Sequence, residues 1–145
     1  MKRLRLLSLA PLALALVALG GCTSSTSKTA DDFKGPQKDV AKAVDELASA
    51  AKKVDAGKIC DSLVTADLKA QLTTLAKSSK RGTDCADQLK DSLTDSDSFD
   101  LDVQSIKISG TTAVVTIKTK TNAKDDPVDT ITMTNQRGWR VSKIS

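Results

Sequence analysis

The 145-residue chain has no histidine and no tyrosine, one tryptophan, two phenylalanines and a single glutamate, Glu46. The lack of imidazole removes the usual zinc sites and the base of Ser-His and Cys-His nucleophile systems. The lack of phenol removes the donors that commonly hold an enolate oxygen. With so few aromatics there is no stacking platform for single-stranded nucleic acid, and any core must be filled with aliphatic side chains. No segment repeats at a fixed period. The longest apolar stretch, Leu6 to Leu19, is 14 residues and too short for a comfortable membrane span. Three cysteines are present, Cys22, Cys60 and Cys85, an odd number.

The apolar stretch follows Lys2, Arg3 and Arg5 and ends in Leu19-Gly20-Gly21-Cys22. That is the order of a secretory signal, a basic start followed by a hydrophobic run, without the A-x-A-like site of ordinary cleavage. The last four residues resemble the bacterial lipobox, an aliphatic residue and small residues before an invariant cysteine. The resemblance implies that residues 1–21 are a lipoprotein signal peptide, that the Cys22 thiol takes a diacylglyceryl group, and that palmitate-type chains anchor the protein on the extracytoplasmic face of the cell membrane. More than one chain on one residue gives lasting attachment, at about 0.8 kcal/mol per buried CH₂. In a two-membrane envelope, Thr23 stands where Asp would favour inner-membrane retention, which leaves the outer membrane open as a destination. A soluble secreted product and a single signal anchor are the competing readings.

The net charge of +4 points less to a nucleic-acid partner once residues 1–21 are set aside, because Lys2, Arg3 and Arg5 leave with them and 19 basic residues face 18 acidic ones. Nucleic acid is not an expected partner. Residues 22–35, rich in Ser, Thr, Lys and Asp and closed by Gly35 and Pro36, read as a flexible tether, and residues 36–145 as one domain.

Within the domain Val40, Val44, Leu47, Ala51 and Val54 recur at helical spacing, with Gly57 as the expected stop. A second helical stretch carries Ile59, Cys60, Leu63, Val64, Leu68, Leu72 and Leu75, with Thr65 resembling a cap inside it. A third follows Thr83, its expected N-cap, and carries Cys85, Leu89 and Leu93. Beyond residue 100 the period changes to two. Four segments alternate: 101–108, 111–120, 128–134 and 139–144, joined by turn residues. Leu101 and Val103 are out of phase with Ile106 and Ile108, which predicts a bulge near Gln104 and Ser105. The expected fold class is α+β: three N-terminal helices packed on a curved four-stranded antiparallel sheet.

The element order, the "ICDSLVTADLKAQL" helix joined through "GTDCADQL", and the closing "TNQRGWRVSKI" resemble bacterial lipoproteins of the nuclear-transport-factor-2-like superfamily, also called SnoaL-like, over residues 33 to 145. The resemblance implies a cone in which the sheet wraps around the helices and often encloses a pocket. In that architecture Cys60 and Cys85 lie on apolar helix faces. With Cys22 consumed by lipid and the chain exported, a structural disulfide between them is expected; two free thiols or redox chemistry are the alternatives.

Some members of the superfamily are enzymes, but their carboxylate base and phenolic donors have no counterparts here. Only Asp100 and Asp102 lie near a prospective pocket rim, and no catalytic residue is assigned. No cofactor or metal is expected either: an EF-hand loop from Asp95 would need Gly at 100 and Glu at 106 but meets Asp100 and Ile106, although a weak cation site in residues 95–102 stays open. Val115, Ile117, Ile131, Met133 and Trp139 are candidates for the wall of a pocket or for ordinary core. The expected function is a non-enzymatic binding or accessory module, its partner an envelope protein or a small apolar ligand; the alternative is a degenerate pocket enzyme. Labelling of cells with a clickable fatty acid tests the anchor: the label is expected on the wild-type protein and absent from Cys22→Ala and Cys22→Ser, and label surviving either substitution overturns the lipobox reading.

Overall fold

The computed structural model describes residues 30–94, 99–120 and 127–145. Cys22, the expected signal segment and most of the expected tether lie outside these residues, as do parts of 95–102 and of the loop after Lys120. The domain is α+β, with helices followed by a four-stranded antiparallel sheet in the order β1-β2-β3-β4. Among the described residues no helix is long and apolar enough to cross a membrane.

The chain enters through a short 3-10 turn, Ala30–Asp32, whose Ala30 N–H donates to Asp45 Oδ2 at 3.1 Å. Ala30 is buried and Phe33 packs on the core, so the last residues of the expected tether belong to the folded body. Helix α1, Pro36–Lys52, starts with Pro at its first turn, where a missing N–H costs nothing. Its apolar stripe, Val40 and Val44 above all, is fully buried. Gln37 Nε2 donates to the Ile106 carbonyl at 2.9 Å and pins the start of α1 to the first strand.

Gly57 does not end α1. The helix stops at Lys52 because Val54 takes a left-handed conformation, φ 54°. The Val54 N–H then reaches the Ala51 carbonyl and the Asp55 N–H the Ala50 carbonyl, both at 2.9 Å. This is a Schellman arrangement with a β-branched residue where glycine is preferred. Gly57 instead lies inside the next helix.

The expected second helix is two. Helix α2, Ala56–Lys58, is capped by Asp55 Oδ1, which accepts from the Lys58 N–H at 3.0 Å, and runs into a π turn, Ile59–Leu63. Val64 and Thr65 are then extended, with Val64 bridging Val141 in parallel and the Thr65 N–H donating to the Val141 carbonyl at 2.9 Å. Pairing with the last strand breaks the helix. Thr65 Oγ1 then accepts from the Leu68 N–H and caps α3, Ala66–Ser78.

Helix α4, Cys85–Thr94, is capped by Asp84 rather than Thr83: Asp84 Oδ1 accepts from the Asp87 N–H at 3.0 Å, and Asp87 Oδ2 accepts from the Thr83 N–H at 2.8 Å. Hydrogen bonding from the Thr83 backbone holds the Asp87 carboxyl below its ordinary value. The arrangement needs Gly82, since a Cβ there would sit 2.1 Å from that of Asp87.

The strands are β1, Leu101–Ser109; β2, Thr112–Thr119; β3, Val128–Asn135; and β4, Trp139–Ile144. Val103 faces Ile117 and Ser105 faces Thr116, so Gln104 is the expected bulge, and it returns Ile106 to the buried face. A second bulge, unforeseen, falls at Ser142 between the Met133–Val141 and Thr132–Lys143 pairs. Val103, Ala113, Val115, Ile131, Met133 and Val141 form the floor on which the helices rest. The opposite face carries Val114, Thr116, Lys118 and Thr132, exposed or half-buried.

The Cys60 and Cys85 sulfurs lie at bonding distance, with Cα atoms 6.1 Å apart, and tie the π turn to the start of α4. A link across a sequence separation of 25 stabilises by roughly 3 to 4 kcal/mol in the chain-entropy treatment. Mass spectrometry of the unreduced protein is expected to find the two peptides joined, and reduction to lower the melting temperature by about 10 °C for a domain this size. Free thiols at both positions in protein isolated without reductant would refute the bond.

Candidate functional site

The helices do not fill the space above the sheet. Between α3, α4 and the buried sheet face lies a partly open cavity of about 560 Å³. Its helical walls are Leu68 and Leu72 of α3, Leu89 and Leu93 of α4, and Leu47 and Ala51 of the second half of α1; Ile59 and Val64 close one side. The sheet supplies Leu101, Ile117, Ile131 and Val141, with Phe99 and Ile144 at the margin. Ile144 returns to this face because of the bulge at Ser142, and is 65% exposed. Few polar residues join the lining: Gln71, Ser92, Asp129, Ser142 and Lys143.

The five wall candidates separate. Ile117 and Ile131 line the cavity. Val115 and Met133, at 0% and 1% exposure, sit in the close-packed core. Trp139 is half-buried elsewhere, in a smaller cleft of about 260 Å³ between the β3–β4 hairpin and the first half of α1, beside Asp39, Lys42, Glu46, Arg137 and Arg140. Leu68, Leu72 and Leu89 were legible as helix-stripe residues, but nothing in their spacing marks that the stripe of α3 meets empty space.

Neither expected rim carboxylate enters the cavity. Asp100 forms an ion pair with Lys52, joining the end of α1 to the residue before β1. The pair flanks the wall residues Ala51 and Leu101. Asp102 is buried on the opposite sheet face, in register with Lys118. The carboxylate that does line the cavity is Asp129, in register with the buried Ile117 and two residues before Ile131 on the same strand. No motif in "VDTITMT" distinguishes it. Among the described residues no group of three or more His, Cys, Asp or Glu is gathered as a metal set would be.

The Lys52 ammonium holds the Asp100 carboxyl below its ordinary range, through its hydrogen bond first and its charge second. A carboxyl depressed on folding contributes stability above its unfolded pKa, and the contribution is lost as the pH falls through the folded value. Both groups are more than half exposed, so this contribution is small. NMR titration is expected to find Asp100 ionising below the free-carboxylate value of about 3.9, and Lys52→Met to return it toward that value. An unchanged midpoint in the variant would show that the pair does not form in solution.

Comparison with known protein families, curated proteins and solved structures returned no match for this chain.

Proposed function

We propose that the protein is a membrane-anchored, extracytoplasmic lipoprotein with a nuclear-transport-factor-2-like domain that acts as a non-enzymatic binding module, and that its ligand is a small apolar molecule held in the cavity between α3, α4 and the sheet. The observation that carries this reading is the cavity itself: about 560 Å³ and walled chiefly by Leu, Ile, Val and Phe. Ligand sites fall in the range of about 300 to 1,000 Å³, are mostly apolar, and hold a few polar groups that orient the guest. The lipobox resemblance supplies the location, placing the cavity beside a bilayer from which an apolar guest could be drawn or to which it could be returned. A pocket enzyme on the same scaffold would need a base and a matched donor at one point; the chain has neither His nor Tyr, and among the described residues Asp129 is the lining's one carboxylate.

The test uses a neutral fluorescent apolar probe, N-phenyl-1-naphthylamine, and the mature-length chain, residues 22–145 with Cys22→Ala. The parent is expected to bind it saturably. Leu72→Trp, which fills the cavity from its partly exposed wall, is expected to weaken binding at least tenfold, on the order of 1.4 kcal/mol, with little change in melting temperature. Val115→Phe overpacks the core instead and is expected to cost about 1 to 3 kcal/mol of stability. Probe binding that survives Leu72→Trp unchanged would place the ligand elsewhere or nowhere.

A further inference from the structure

Resting on the reading of the cavity as a ligand site, we infer that its guest is an amphiphile whose head donates hydrogen bonds, an amine or an alcohol, and that Asp129 selects it against fatty acids and other anionic lipids.

The inference follows from where charge lies around the cavity. Asp129 is in register with Ile117 and two positions before Ile131, so its side chain belongs to the inner face of β3 at the edge of an aliphatic chamber. It is half-buried, and among the described residues it makes no ion pair or side-chain hydrogen bond. Lys143, a cation of the lining, is in register with Thr132, whose side chain is on the outer face; the bulge at Ser142 leaves Ile144, and not Lys143, beside Ile131. Among the described residues, the charge on the inner face is therefore that of Asp129. The remaining polar residues are neutral: Gln71, Ser92 and Ser142, the last with its hydroxyl already donating to the Thr132 carbonyl at 3.1 Å.

A carboxylate accepts hydrogen bonds and donates none at neutral pH. A carboxylate or phosphate head brought to the Asp129 edge would meet like charge, in surroundings where the apolar walls strengthen the repulsion. An ammonium head would gain a charge-assisted bond, and a hydroxyl a weaker one, while the alkyl chain takes the place of water against Leu68, Leu72 and Leu89. Chain length sets how much of the chamber is filled; the head decides which class of lipid is accepted.

Three C12 probes of equal tail, dodecylamine, dodecanol and dodecanoate, separate the contributions when each displaces N-phenyl-1-naphthylamine below its micelle concentration at pH 7. Dodecylamine is expected to bind about tenfold or more tightly than dodecanoate, with dodecanol between them. Asp129→Asn is expected to bring the three within about twofold of one another, and Asp129→Lys to reverse the order. Circular dichroism shows whether either variant has lost its fold, and the two variants change the site in different ways. Equal affinities in the parent, or a ranking that persists in both variants, overturns the inference while leaving the cavity reading in place. Failure of the naphthylamine probe to bind the parent overturns both.

Discussion

Helix α4 depends on one covalent constraint. Its nearest neighbours are α3 and the Ala56–Leu63 segment rather than the sheet, and the Cys60–Cys85 link fastens its first residue to the π turn. Hydrophobic burial alone would draw α4 down onto Ile117 and Ile131, since apolar surface left uncovered costs about 25 cal/mol per Å². A helix tied at one end and braced by α3 stays above the sheet, and the space left between them is the cavity.

The other side of the domain is built differently. Helix α1 lies against β1, with Val40 and Val44 fully buried in the same core as Val103 and Val115, and Gln37 ties its first turn to Ile106. That half is close-packed aliphatic core with no large aromatic inside it, as a chain with three aromatics requires. The two halves of α1 thus do different work: the first closes the core beside Trp139, and the second, through Leu47 and Ala51, forms a wall of the cavity. Four ion pairs among the described residues are peripheral. Lys38–Asp31, Lys52–Asp100, Lys58–Glu46 and Lys69–Asp61 join exposed groups, where solvent screening leaves little net stabilisation. They direct helix ends and do not hold the fold.

What periodicity and turn chemistry encode locally was legible in the residues. Four strands, their antiparallel order and the bulge at Gln104 follow from alternation and its phase error between Val103 and Ile106, because a two-residue period assigns every side chain to a face. The pairing of Cys60 with Cys85 follows from parity once Cys22 is assigned to lipid. What depends on distant partners was not legible. The stop of α1 at Val54 has no glycine to announce it. The break at Val64 and Thr65 exists only because the Val141 backbone offers an acceptor and a parallel neighbour. The second bulge, at Ser142, has a phase error in "WRVSKI", where Val141 and Ile144 are three residues apart, but Ile144 alone carries it.

The same division runs through the candidate site. Sequence by itself determined that the interior is aliphatic, that imidazole and phenol chemistry are excluded, and which strand residues face inward, because composition and alternation are properties of the chain alone. Tertiary structure decided which inward residues touch one another and which face empty space. Val115 and Ile117 are two residues apart on one strand with the same pattern, yet the first is fully buried in the core and the second lines the cavity. Asp129 shares its face with Ile117 through a register set by the hairpin, whereas Asp100 and Asp102, equally near a strand end, are taken by Lys52 and by the opposite sheet face. A cavity is the difference between how far a helix can descend and how far its attachments let it, and no window of sequence contains both terms.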